Sequence, residues 1–178
     1  MGKWYPMDFR GGSLEWSDPR VLQRSPNELG WERNVSLDTH EFMGRDALDA
    51  EKRAGGPARH LVGLHWNSAD VIGVYASLFE SGPTPTYMEM PRMTHRYAPD
   101  PDQVVKDGRV VGCSTSRVYS PYLRRMISLC VIENQLMTPG TEVIVVWGDR
   151  GGPLREIRAT VTSLPFKEDK RRIDVSKL

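Results

Sequence analysis

Asp107-Gly108 stands between two valine pairs, in Gln103-Val-Val-Lys-Asp-Gly-Arg-Val-Val-Gly112, and constrains the fold more than any other feature of the chain. A two-residue Asp-Gly loop accepts positive φ at both positions, which matches the twist of two antiparallel strands joined end to end. The spacing predicts a β-hairpin here. Its neighbours then read as further strands. Met126–Ile132 is an apolar run of strand length, and Glu142–Trp147 follows the Pro139-Gly140 break. After the glycine-rich stretch Asp149–Pro153, Glu156–Thr162 alternates with period two, the pattern of a half-buried strand. Leu61–Leu64 gives one more strand upstream. Successive antiparallel strands of this length suggest a small barrel or sandwich.

Two helices are expected ahead of the hairpin. One lies near residues 44–54, with Asp38 and Thr39 as possible N-caps and Gly55-Gly56-Pro57 as its stop. The second lies near residues 69–79, after Ser68, with Val71, Val74, Tyr75, Leu78 and Phe79 at helical spacing. Prolines between Pro83 and Pro101 mark a long irregular crossing segment. The fold class is therefore α+β, mainly β.

Composition excludes more than it proposes. The chain has 178 residues, enough for one ordinary domain. Its 24 basic and 23 acidic side chains leave a net charge of +1, which gives no electrostatic case for nucleic acid or an anionic membrane. No apolar run reaches membrane-spanning length, and Met1–Arg10 lacks the apolar stretch of a secretion signal. Cys113 and Cys130 are the only cysteines, in no zinc spacing, and are expected to be reduced thiols in a cytoplasmic protein.

Residues 1–34 contrast with the rest. They carry Trp4, Trp16 and Trp31 with weak periodicity, Gly11-Gly12, and Pro19 and Pro26. Such a segment is too short and irregular to bury its own aromatics, so it is expected to pack on a partner, on another copy, or back on the barrel.

Two stretches go beyond composition. Ser25-Pro-Asn-Glu-Leu-Gly30 followed by Val35-Ser-Leu-Asp-Thr-His-Glu-Phe-Met-Gly-Arg-Asp-Ala-Leu48 resembles the glycine-cleavage T-protein (aminomethyltransferase) family. Arg59-His-Leu-Val-Gly-Leu64, Asp107-Gly-Arg-Val-Val-Gly112, Ser114-Thr-Ser116, Tyr119-Ser-Pro121, Pro139-Gly-Thr-Glu142 and Leu164-Pro-Phe166 are similar, in order, to the motifs of that family's C-terminal barrel. Val74-Tyr-Ala-Ser-Leu-Phe79, Val145-Val-Trp-Gly148 and Glu156-Ile-Arg-Ala159, with Gly2-Lys-Trp-Tyr-Pro-Met, look more like the tetrahydrofolate-dependent aromatic O-demethylases (vanillate and syringate type). Arg117 stands where the family has glycine after Thr-Ser.

The resemblance implies a strand at Val35 after the Pro-x-Glu turn, and an antiparallel barrel of about six strands over residues 59–178, closed by Leu164–Phe166. Residues 1–58 would be a connecting segment and helix left from a folate-binding domain. It implies tetrahydrofolate as acceptor and a small-molecule methyl donor, with the folate cradle and the catalytic carboxylate mostly in N-terminal domains that nothing here matches. Three readings follow: the C-terminal portion of a one-carbon transferase that is inactive alone, a non-catalytic barrel subunit docking on a folate-domain polypeptide, or the folate-binding tail of a dimethylglycine or sarcosine dehydrogenase. The partner would be that polypeptide, or a second copy met through residues 1–34.

Four residues are candidates for contact with the cofactor. Arg33 can pair with a folate carboxylate or stack on a pterin, or else is a solvated arginine. Trp31 can stack on an aromatic ligand or belong to a core. Arg59 precedes the first barrel strand, where it is a cleft cation or a surface charge, and Tyr119 offers a hydroxyl or simply starts a turn. Glu28 reads as a turn or cap residue. His40, His60, His65 and His95 show no i,i+4 pairing, and none is assigned to catalysis or metal.

Overall fold

Six strands and two helices follow one another in a computed structural model that describes residues 12–15, 19–90 and 100–168. They are α1 (Arg45–Arg53), β1 (Arg59–Trp66), α2 (Ser68–Ser77), β2 (Asp102–Lys106), β3 (Arg109–Ser120), β4 (Arg125–Glu133), β5 (Glu142–Trp147) and β6 (Arg155–Thr162). All strand pairs are antiparallel, and the sheet closes as a barrel in the order β1-β4-β3-β2-β5-β6. The β2–β3 hairpin turns on Asp107 (φ 50°) and Gly108 (φ 74°), with Lys106 opposite Arg109. Closure removes the exposed edges of an open sheet.

The barrel is filled from every strand by alternate residues. Val62, Leu64 and Trp66 of β1 meet Cys130 and Ile132 of β4, Val143, Val145 and Trp147 of β5, and Ile157, Ala159 and Val161 of β6. Trp66 and Trp147 pack edge to face at 6.4 Å. The Trp66 indole N–H donates to Ser128 Oγ (2.9 Å), and Ser114 Oγ bonds Ser128 Oγ (2.8 Å), so these three polar side chains inside the barrel are partnered. Gly112 is glycine because β4 occupies the space beside it: an added Cβ would lie 2.7 Å from the carbonyl oxygen of Val131. Gly112→Ala is expected to cost about 1–3 kcal/mol by overpacking. The loss should appear as a lower denaturant midpoint at unchanged slope; an unaltered midpoint would show that the β4 backbone yields freely.

Several local expectations change. The cap of α1 is Gly44, not Asp38 or Thr39, and its φ of 92° turns the chain into the helix without a side-chain bond. The cap of α2 is Asn67, whose side chain accepts from the Asp70 N–H (3.1 Å). Val35 is not in a strand; it follows a single 3-10 turn, Glu32–Asn34. Leu164–Phe166 forms bends beyond β6, and the barrel is closed instead by β1 pairing β6 from Gly63–Thr162 to Trp66–Ala159. Phe79 points outward, 93% exposed. Trp4 and Trp16 lie outside the described residues, as does His95.

A bulge in β3 decides one inward side chain. Register shifts between Thr115 and Val118, where Ser116 takes φ 56°. The extra residue turns Arg117 into the barrel end, where its guanidinium lies 4.4 Å from the Trp147 ring centroid and donates to the Glu89 carbonyl (2.9 Å). The Trp147 indole N–H donates to the Thr86 carbonyl (3.1 Å), and the Tyr75 hydroxyl donates to the Met88 carbonyl. Residues 86–90 therefore close that end.

Candidate functional site

The opposite end of the barrel carries a cleft, built around a turn that the sequence encodes locally. In Ser25-Pro-Asn-Glu28 the Ser25 N–H donates to Glu28 Oε2 (3.0 Å) and the Glu28 N–H donates to Ser25 Oγ (3.1 Å). This is the reciprocal pairing of a capping box, with proline at the first turn position. Glu28 is buried, and its other oxygen accepts from Arg59 Nε (2.7 Å) at the start of β1. Its carbonyl accepts from the Leu61 N–H (2.8 Å). From α1, Glu51 Oε2 accepts from Ser25 Oγ (3.1 Å) and Asn27 Nδ2 (2.7 Å), while Arg45 Nε donates to the Leu37 carbonyl (2.6 Å). The stretch 25–39 is thus fixed at three points, two on α1 and one on β1.

Between that stretch, α1 and the start of β1 lies a cleft of about 530 Å3, within the range of small-molecule sites. Val35, Leu37, Leu48 and Pro57 give it apolar walls; Glu32, Asp38, Lys52 and His60 give it charge and hydrogen-bonding capacity. The His60 ring is oriented from outside. Asn134 Nδ2 donates to the Pro57 carbonyl (2.7 Å), which leaves Asn134 Oδ1 to accept from His60 Nδ1 (2.6 Å). A neutral His60 therefore keeps Nε2 as an acceptor.

None of the four residues singled out from sequence lines the cleft, although three of them are chain neighbours of residues that do. Trp31, 55% exposed, precedes the 3-10 turn whose Glu32 lines the cleft, and Arg33 is exposed within that turn. Arg59 sits between cleft residues and Glu28, its Nε engaged by the Glu28 carboxylate. Tyr119 is elsewhere: it pairs with Met126 across β3 and β4, whereas Arg59 pairs with Glu133 at the other end of β4. It is half-buried against the core, and the Tyr-Ser-Pro turn follows it, with Ser120 Oγ accepting from the Leu123 N–H (3.2 Å). The turn role expected of Glu28 is what its bonds describe.

Sequence reasoning gave no site role to Asn27, Arg45, Glu51, Asn134 or His60, the last weighed and set aside for want of a pairing. The Ser-x-x-Glu spacing is the one local signal that points to this scaffold. Nothing in the sequence pairs His60 with Asn134, since only the β1–β4 register brings them together.

The arrangement can hold and orient a ligand. Both cysteines are buried free thiols; burial pushes Cys113 up to about 11 and Cys130 upward as well, so neither is a thiolate nucleophile at neutral pH. Among the described residues no three His, Cys, Asp or Glu side chains converge as a metal-binding group, and no helix is long and apolar enough to cross a membrane.

Comparison with known proteins places this geometry in context. The family described as glycine cleavage T-protein C-terminal barrel domain matches residues 88–167. The chain is 35% identical over 165 residues to the sesamin methylene transferase of Sinomonas sp. (strain No.22), covering 86% of this chain and 36% of that protein. It is 33% identical over 166 residues to the syringate O-demethylase of Sphingobium sp. (strain NBRC 103272 / SYK-6), covering 88% of this chain and 35% of that protein. Among solved structures it is similar in fold to the glycine cleavage system aminomethyltransferase T from Bartonella henselae, with a TM-score of 0.53 at 20% identity over 81% of this chain and 32% of that one. The chain spans about a third of the length of the curated relatives it matches.

Proposed function

Because the chain carries the C-terminal barrel domain of the glycine cleavage T-protein family, we propose that it is the C-terminal portion of a tetrahydrofolate-dependent one-carbon transferase, acting on an aryl methyl ether or an amine and inactive alone. The observation that carries this reading is a complete barrel in a chain that spans about a third of its relatives. The setting would be cytoplasmic, and the partner a polypeptide that holds the folate domains and meets residues 1–34.

The cleft suits one wall of a folate site. Lys52 lines it as a cation for a ligand's carboxylates, and Trp31 and Arg33, exposed on either side of the lining residue Glu32, would add a stacking surface and a second cation. Val35, Leu37 and Leu48 exclude water behind them. Arg59 acts through Glu28, holding the turn that presents Trp31 and Arg33. Tetrahydrofolate would supply N5 as acceptor of the one-carbon unit; the acid that protonates the leaving group would come from the partner.

Purified chain given tetrahydrofolate with syringate, dimethylglycine or a glycine-derived aminomethyl donor is expected to form no methylated or methylene-bearing folate. Adding a polypeptide that holds the folate domains should restore transfer. Turnover by the chain alone would overturn the reading.

A further inference from the structure

The cleft between residues 25–39, α1 and β1 is short of hydrogen-bond donors. Four N–H groups along its wall are already spent inside the chain. Val35 donates to the Glu32 carbonyl (3.0 Å), Gly55 to the Lys52 carbonyl (3.1 Å), Gly56 to the Glu51 carbonyl (3.0 Å), and the Asn27 side-chain amide to Glu51 Oε2 (2.7 Å). What is left for a ligand mostly accepts. Glu32 and Asp38 bring two carboxylates against the single ammonium of Lys52, and the partially negative C-terminal end of α1 runs into the wall at Gly55-Gly56. His60 adds a directed acceptor. Its Nδ1–H is committed to Asn134 Oδ1 (2.6 Å), and Asn134 cannot turn its amide round without losing the Pro57 carbonyl (2.7 Å). Nε2 is then the ring's acceptor for whatever fills the cleft.

We infer that the cleft selects a ligand carrying N–H donors beside a carboxylate, with His60 Nε2 accepting one N–H and Lys52 meeting the carboxylate. Asn134 is a positioning residue, because it acts by fixing the His60 tautomer. Two ligands of the proposed reaction have this chemistry: an amine donor in its ammonium form, and the N–H edge of the folate pteridine. An aryl methyl ether does not. Its ether oxygens only accept, so they would leave the carboxylates and His60 unpaired. The inference deepens the one-carbon reading and rests on it for the choice of these ligands.

Calorimetric titration of the full chain with dimethylglycine and with folate should show at least one of them binding below about 1 mM. Whichever binds identifies the source of the N–H group. Trimethylglycine keeps the cation and carboxylate of dimethylglycine without its N–H, and trimethoxybenzoate offers only a carboxylate and ether oxygens. Both should bind about tenfold more weakly or worse. His60→Phe should cost about the same factor, whereas His60→Gln, which keeps an acceptor at similar reach, should cost less. Heteronuclear NMR of the imidazole nitrogens, with His60 identified by its loss in His60→Gln, should find the proton on Nδ1 and a shift of Nε2 on binding. Asn134→Leu should move that proton toward Nε2 and weaken binding. No binding of either donor, equal binding of the donor-free compounds, or a His60 proton on Nε2 in the natural chain would each overturn the assignment. Selective binding without transfer, once a folate-domain polypeptide is added, would instead count against the one-carbon reading and leave the cleft's selectivity standing.

Discussion

Arg59→Ala is expected to destabilise the chain by about 3 kcal/mol, because it strands a buried carboxylate. Glu28 has 9% of its side chain exposed, and its two oxygens are held by Arg59 Nε and the Ser25 N–H. Removing the guanidinium leaves one oxygen without its charged donor in a place water reaches poorly. The neighbouring Arg24, close enough to feel both Glu28 and Arg59, softens the loss without replacing the bond. For a chain of this size the thermal midpoint should fall by about 6–12 °C. Arg59→Ala combined with Glu28→Gln should recover part of the loss, since the second change removes the stranded charge. A single-variant loss below about 1 kcal/mol is what a solvent-screened pair gives, and would mean that Arg59 does not hold the turn.

The same pair shows where sequence reading reaches and where it stops. The Asp107-Gly108 hairpin, the strand Glu142–Trp147 and the alternation in Glu156–Thr162 were legible because each is set by near neighbours: a turn's φ values, a strand's period. The stop of α1 at Gly55-Gly56-Pro57 is local in the same way. The scaffold of the cleft is not. Glu28 reads as a turn residue from its spacing to Ser25, but its bond to Arg59 spans 31 residues, and the orientation of His60 by Asn134 spans 74. Those contacts exist only after β1 pairs with β4. Val35 misleads for another reason: the resemblance implies a strand there, yet among the described residues no strand pairs with it, and a strand needs that partner. Phe79 likewise sits at helical spacing with Val71 and Val74, but α2 ends at Ser77, so Phe79 falls in the turn beyond it and stays exposed. Arg117 needed the bulge at Ser116; without the extra residue the alternation along β3 would send it outward.

A second large effect should come from the other barrel end, in the form of a pH-dependent gain. Asp102 is 2% exposed, on β2 opposite Ser114, and the charged groups that face it are Arg117, Asp100 and Asp149. Burial dominates over the Ser13 N–H (3.4 Å) and the Arg117 charge, and pushes the carboxyl from its usual value near 3.8 up to about 8. The folded chain thus holds a proton that the unfolded chain releases. Asp102 weighs least on stability below pH about 4; the fold loses stability as pH rises from there to about 8, and the loss is complete above it. Its steepest slope is about 1.4 kcal/mol per pH unit. Asp102→Asn keeps the shape of the neutral acid and has no proton to lose. The variant's advantage over the natural chain should therefore grow from pH 5 to pH 8, reaching on the order of 3 kcal/mol. Taking the difference between the two proteins cancels the opposing contributions of Asp70 and Glu133, whose carboxyls are held below their usual range by Arg158 and Arg109. Paired denaturant titrations at half-unit pH steps would measure it. A difference that stays constant across that window would mean that Asp102 is already ionised in the fold, with Arg117 outweighing the cost of its burial.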